Sequence, residues 1–182
     1  WRPIEELTKR LGGLEPRRRM ISFATEPLTR WHRRRSRRAE AHRDSVAARP
    51  TVVGWPDTFT NFTATGPGQA AIEVLEAMGY RVLLPMADVC CGLTWHSTGQ
   101  LDMTQRVLRQ TLDVLEPFLD AGYPILGLEP SCTEMLTHES VELLPEDARA
   151  RALSELTTSF GSFVAEHRTA GEAANRRCRC RV

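Results

Sequence analysis

Three short apolar runs interrupt the chain, at residues 51–55, 80–85 and 124–130. Each run is rich in Val, Leu or Ile and is bounded by Pro or Gly, which is typical of a strand buried on both faces of a parallel sheet. The segments between the runs are long enough to contain the crossover helices that parallel strands require. The apolar pattern therefore predicts an α/β fold.

Between and after these runs, apolar residues recur at helical spacing. Spacings of three and four predict helices over residues 69–78 and 99–121, each followed by a glycine that suits a helix C-terminus. A short helix with Ser131 as its N-cap and a last helix over residues 145–167 are predicted after the third strand. Strands that alternate with helices imply an open, mostly parallel sheet with flanking helices and right-handed crossovers, a Rossmann-like half-domain.

Residues with distinctive chemistry follow each predicted strand. Asp57 follows the first strand, Cys90 and Cys91 follow the second, and Cys132 follows the third. Ligands of open parallel sheets bind outside the carboxyl ends of the strands. We therefore expect these four residues to lie together at one edge of the sheet.

Charge divides the chain into three parts, although the formal net charge is only +1. Residues 1–50 carry 14 basic and 6 acidic side chains, residues 51–167 carry 5 and 16, and residues 168–182 carry 5 and 1. This asymmetry predicts a basic connector, with a weak helical pattern over residues 1–15, an acidic domain, and a disordered tail. We expect neither end to pack into the core of the domain.

The chain has no run of apolar residues long enough for a membrane helix, and its first residues show no apolar signal core. We therefore expect a fragment of a cytoplasmic protein that reaches a membrane only through partners. Thiols in that compartment stay reduced, so the five cysteines are not expected to form a disulfide framework.

Adjacent cysteines make the strongest chemical signal. An isolated buried cysteine is usually a small core residue, but Cys90 and Cys91 stand side by side before Gly92 on a predicted loop. Thiolates are preferred ligands of iron-sulfur clusters and other soft metal sites, and a helix N-terminus next to Cys132 favours its thiolate. Glycine gives backbone room for a bulky ligand. The pattern predicts a metal or redox site.

The order of these residues resembles a known family. Asp57, a gap of 32 residues, Cys90-Cys91-Gly92, a gap of 39 residues and Cys132 resemble the CCG cysteine-rich domain, whose pattern is Cys, CCG, then CxxC. The amino-acid sequence of residues 55–62 and 128–132 resembles that of FAD-binding and iron-sulfur-binding oxidoreductases of the D-lactate dehydrogenase, glycolate oxidase and heterodisulfide reductase type.

The resemblance implies an iron-sulfur electron-transfer module, with a 4Fe-4S cluster held by Cys90, Cys91 and Cys132. Such a module receives electrons from a flavin that oxidises a 2-hydroxy acid such as D-lactate. The FAD, the flavin dehydrogenase domain and a second CCG repeat would belong to a longer parent enzyme, and we do not expect this fragment to be active alone.

Two positions depart from the family pattern. Asp57 stands in place of the first cysteine, and Met135 in place of the second cysteine of CxxC. Asp57 or His96 supplies an oxygen or nitrogen ligand, a partner repeat completes the site, or the domain is a degenerate structural half that binds no cluster. The sequence leaves these alternatives open. If the site binds iron, Asp57→Cys is expected to restore the missing thiolate and raise cluster occupancy.

Two further interpretations are weaker. The arginines of residues 17–43, together with Trp31, suit a nucleic-acid binder, but the acidic body argues against one. Cys178 and Cys180 in the tail suit a separate metal site only poorly. We expect no nucleic-acid partner, and the electron acceptor is not specified by the sequence.

Overall fold

The computed structural model describes residues 2–15, 17–18, 21–40 and 49–167. Its helices are α1 Arg2–Leu11, α2 Leu28–Glu40, α3 Thr58–Phe62, α4 Thr65–Ala77, α5 Leu93–Ser97, α6 Leu101–Asp120, α7 Pro130–Glu134, α8 Ser140–Leu143 and α9 Ala148–Leu156, with a π-helical turn at Met135–Glu139 and a last helix over residues 160–167. The strands are β1 Thr51–Gly54, β2 Arg81–Leu83, β3 Ile125–Gly127 and β4 Thr157–Ser159.

The four strands form one parallel sheet in the order β2-β1-β3-β4. Val53 pairs with Leu83 of β2 on one side and with Ile125 of β3 on the other, so β1 lies between the two. The predicted α/β fold with an open parallel sheet is confirmed. Because the chain passes from β2 on one side of β1 to β3 on the other, the strand order reverses between β1 and β3, and folds of this kind bind ligands outside the carboxyl ends of the strands at that point.

Successive residues of β1 and β3 pack into two different hydrophobic cores, one on each face of the sheet. Val53 and Ile125 point into a core with α6 and α9, whereas Val52 and Leu126 point into a core with α2, α4 and the helix over residues 160–167. This alternation follows from the two-residue period of a strand. A sheet covered on both faces explains why its strands read as continuous apolar runs.

The last predicted helix is wrong in its extent. It begins at Ala148, with Asp147 as its N-cap, and is interrupted by β4 before the chain becomes helical again at residue 160. Thr157 and Thr158 pair with Ile125 and Leu126 of β3. β-branched residues suit a strand, and pairing with a buried neighbour outweighs the helical pattern around them.

The expectation that residues 1–50 stay out of the core is also wrong. In α2, Leu28 and His32 are only 2% and 5% exposed, and Leu28 belongs to the core formed by Val52 and Leu75. His32 Nε2 lies 3.1 Å from the carbonyl oxygen of Val82, and burial lowers the pKa of the His32 ring. Leu28 and His32 are four positions apart and share one face of α2, but the arginines between and after them obscure this pattern in the sequence.

The opposite face of α2 carries the exposed arginines Arg30, Arg33, Arg34 and Arg37. Trp31 packs against the core, and the Arg35 guanidinium carbon lies 5.5 Å from its ring centroid. Arg35 also pairs with Glu76 of α4 at 2.5 Å. Trp31 therefore has contacts within the domain, and the expectation of no nucleic-acid partner stays a prediction.

The proposed tail over residues 168–182, with Cys178 and Cys180, lies outside the described residues. Within the described parts of the chain, no helix is both long and apolar enough to cross a membrane.

Candidate functional site

The structure brings Cys91 and Cys132 into contact at the carboxyl edge of the sheet. The Cys91 thiol donates a hydrogen bond to the Cys132 sulfur, with the two Sγ atoms 3.1 Å apart, although 41 positions separate the residues in sequence. Cys91 is 4% exposed and belongs to the core under α6, and Cys132 packs against the same core. The predicted meeting of the second and third strand ends is therefore confirmed for these two thiols.

The loop that carries Cys90 and Cys91 is fixed by a threonine of α6. Thr111 Oγ1 accepts a hydrogen bond from the Cys90 amide at 3.0 Å and donates one to the Cys90 carbonyl at 2.9 Å. Exposed Cys90 also accepts a 3.4 Å hydrogen bond at its sulfur from the amide of Gly92. The backbone around the thiols is therefore held in one conformation.

Gly92 has a local structural role at this loop. It adopts the left-handed region at φ 81° as the N-cap of α5, and a Cβ placed there would lie 3.1 Å from Thr104 Cγ2. Any other residue would be strained by this dihedral and crowded by α6. The turn explains Gly92 without requiring backbone room for a ligand.

Cys132 is held by a carboxylate at the start of α7. The N-cap is Glu129, and the predicted assignment of Ser131 to that position is wrong. The Glu129 carboxylate accepts the Cys132 amide at 2.7 Å and the Ser131 hydroxyl at 2.9 Å. Although partial burial acts in the opposite direction, these hydrogen bonds lower the pKa of Glu129. The Cys132 amide, which was expected to stabilise the Cys132 thiolate, therefore already donates its hydrogen bond to the Glu129 carboxylate.

Hydrogen bonding and burial raise the pKa of both cysteines of the loop and so favour their protonated forms. The pKa of Cys91 is raised to about 11, first by its hydrogen bond with the Cys132 side chain and then by burial. The pKa of Cys90 lies well above its ordinary value, chiefly through a hydrogen bond with the Cys91 side chain. A metal that binds these sulfurs must therefore displace protons, so its affinity rises with pH.

Asp57 caps a helix at the end of β1. One carboxylate oxygen accepts hydrogen bonds from the amides of Phe59 and Thr60, at 3.0 and 2.9 Å, as the N-cap of α3. The side chain is 2% exposed, and its other oxygen, Oδ2, has no hydrogen-bond partner. Capping gives Asp57 a structural role, while its role as a metal ligand stays a prediction.

His96 lies close to the acidic residue Glu139. Its Nε2 lies 3.7 Å from the carboxylate of Glu139, at the end of the π-helical turn, and its Nδ1 is buried without a hydrogen-bond partner. This pair links α5 to the segment that follows α7. The role of His96 as a ligand also stays a prediction.

Sequence reasoning missed the residues that support the segments around the thiols. Thr104 and Thr111 are 0% and 2% exposed, on the same face of α6 as the core residue Leu108. Polar side chains within an apolar helical stripe are the signal that points to such contacts. No comparable signal marks Glu129 or Glu139, because their partners lie on other elements or in capping geometry.

The donor set suits soft-metal chemistry, but the described residues do not by themselves supply the ligand set of a 4Fe-4S cluster. Among the described residues, no group of three or more His, Cys, Asp or Glu side chains is placed to hold a metal ion. A cluster of this type takes four protein ligands bound to separate irons. Sulfurs 3.1 Å apart are closer even than the roughly 3.8 Å between two thiolates on one tetrahedral metal at 2.3 Å.

Comparison with known proteins gives a partial match. No protein-family model and no solved structure matches the chain. It is similar to lactate utilization protein A from Bacillus thuringiensis (strain Al Hakam) and Bacillus cereus (strain B4264), and to lactate utilization protein A 2 from Bacillus mycoides (strain KBAB4). Each is 30% identical over 106 residues, which is 56% of this chain and 42% of the relative. The match thus spans less than half the length of these curated relatives.

Proposed function

We propose that this chain is the thiol-bearing segment of an oxidoreductase system of lactate metabolism. The observation that carries the proposal is the contact between the Cys91 and Cys132 sulfurs at the carboxyl edge of the sheet. The similarity to lactate utilization proteins supports the substrate class. The CCG motif, and the fold that places it at the carboxyl edge of the sheet, support a role in electron transfer.

The charges around the thiols favour electron handling over lactate binding. The Cys132 amide is bound by the Glu129 carboxylate, and Glu139 stands beside His96 on the neighbouring segment. Lactate is an anion, so carboxylates at this edge repel it. Its oxidation to pyruvate releases two electrons and two protons, which a flavin domain of the parent enzyme would accept before passing electrons on.

The iron-sulfur centre is a separate proposal, in which Cys90, Cys91 and Cys132 are ligands of a cluster completed from outside the described residues. Thiolate is the appropriate ligand chemistry, but the present arrangement lacks a fourth ligand. FAD belongs to the parent enzyme in this proposal. The alternative is a structural half whose thiols bind no cluster.

Cys91→Ala or Cys132→Ala, introduced at the chromosomal locus of the source organism, is expected to reduce lactate-dependent electron transfer to less than about a tenth. The measurement is reduction of an artificial electron acceptor by cell extracts, with D-lactate and L-lactate tested separately. Rates are normalised to the amount of the protein. Both substitutions remove a sulfur from the pair while leaving the rest of the chain unchanged.

Ser97→Ala is the control, because Ser97 is exposed and bonds only locally to the Thr94 carbonyl. It is expected to retain the parental rate. A strain that lacks the gene yet reduces the acceptor normally with lactate would contradict the role in lactate metabolism. Normal rates in both cysteine variants would instead contradict the role of the thiol pair.

A further inference from the structure

Cys91 and Cys132 are held together by separate elements of the fold. Thr111 fixes the loop before Cys91, and Glu129 fixes the first turn of the helix that carries Cys132. Their sulfurs are 3.1 Å apart, about 1 Å more than the length of a disulfide bond. Bond formation therefore requires the two sulfurs to approach by about 1 Å.

We propose that Cys91 and Cys132 form a reversible disulfide that joins the loop after β2 to the helix after β3. The oxidant is a low-molecular-weight disulfide such as oxidised glutathione. This inference concerns a modification of the chain itself and does not rest on a role in lactate metabolism.

Exposure sets the order of the two exchange steps. Cys132 is partly exposed and Cys91 is buried, so the Cys132 thiolate attacks the small disulfide and releases one thiol. Cys91 then attacks the Cys132 sulfur of the mixed disulfide and releases the second thiol. Two electrons pass from the protein to the oxidant, and the two cysteine protons end on the released thiols. A dithiol reductant reverses both steps.

The geometry selects this pair over the other thiol of the loop. Cys90 and Cys91 are adjacent in sequence, and a bond between neighbours closes a strained ring. The Cys90 sulfur is also turned back towards the amide of Gly92. The Cys91 thiol, by contrast, already donates a hydrogen bond to the Cys132 sulfur.

Closing the bond has two consequences for the protein. It restricts the unfolded chain between residues 91 and 132, which is expected to raise the melting temperature by about 10 °C. Of the three cysteines in the described part of the chain, it also removes two from metal binding. The oxidation state of the pair therefore decides whether the site is available to a soft metal.

The test uses the full chain with Cys178→Ser and Cys180→Ser, so that tail thiols do not exchange with the site. The folded protein is incubated with oxidised glutathione, alkylated and digested with trypsin under non-reducing conditions. Cleavage at arginine places Cys90 and Cys91 in the peptide of residues 82–106 and Cys132 in that of residues 110–149. Mass spectrometry measures the linked pair of peptides before and after reduction.

Cys90→Ala in this background is expected to form the linked peptides to the parental extent, whereas Cys91→Ala forms less than about a tenth as much. Linking in the folded Cys90→Ala chain is expected to exceed linking in guanidinium at least about fivefold, because the fold places the sulfurs together. Circular dichroism establishes that each variant is folded. A folded Cys90→Ala chain without linked peptides, or equal linking in Cys91→Ala, would overturn the proposal.

Discussion

Trp55→Ala is expected to lower the free energy of unfolding by about 3–5 kcal/mol, because it removes a large side chain from the centre of the core. Trp55 is 2% exposed and belongs to the same core cluster as Cys91 and Met135. Its amide also bonds to the Leu126 carbonyl at 2.9 Å, where β1 meets β3. The substitution therefore leaves a cavity in the core cluster that contains Cys91.

Guanidinium unfolding followed by circular dichroism measures this effect, with two matched variants. Trp95→Ala is expected to cost less than about 1 kcal/mol, since Trp95 is 37% exposed. Trp55→Phe is expected to cost no more than about 1.5 kcal/mol, because the lost volume is partly offset by removing a buried N–H without a partner. Similar losses for Trp55→Ala and Trp95→Ala would contradict the placement of Trp55 in the core.

Met135→Cys is expected to increase the iron bound after anaerobic reconstitution at least about threefold, because it adds a thiolate to an incomplete ligand set. Met135 is 1% exposed and lies in the core cluster that contains Cys91. It also follows Cys132 by three positions, a spacing that places two residues on the same face of a helix. A thiol at this position therefore lies on the side of the existing pair.

Iron and sulfide content per chain and absorbance near 400 nm measure this effect. Met135→Leu is the control, because it keeps the apolar volume without adding a ligand. Asp57→Cys is expected to gain less iron than Met135→Cys, since it also removes the cap of α3 at a cost of about 1 kcal/mol. Equal iron in Met135→Cys and Met135→Leu would contradict the idea that a missing thiolate limits cluster binding.

The fold was largely predictable because burial on both faces leaves a strong imprint on sequence. The apolar runs around Val52, Val82 and Ile125 correspond to β1, β2 and β3, although each strand is shorter than its run. Strand β4 was not predictable from its own residues, since Thr157 becomes a strand only by pairing with β3. The burial of Leu28 was masked by the arginines that surround it in the sequence.

The site was predictable to the level of its thiols but not of their supports. Strand-end placement brings Cys91 and Cys132 to one edge, and parallel topology alone gives that result. Thr111 and Glu129 reach the site through contacts between separate elements or through capping geometry. Asp57 shows the limit of pattern matching, because the position of a family cysteine is taken by a helix cap.

Titration with a trivalent organic arsenical is the measurement that most directly tests the Cys91–Cys132 pair. Arsenic(III) is a soft acceptor that binds tightly only where two thiols lie close together. In the chain with Cys178→Ser and Cys180→Ser, we expect one arsenical per protein, retained in Cys90→Ala and lost in Cys91→Ala and in the double variant Cys90→Ala/Cys132→Ala. Tight stoichiometric binding by folded Cys91→Ala, or none by folded Cys90→Ala, would contradict the account.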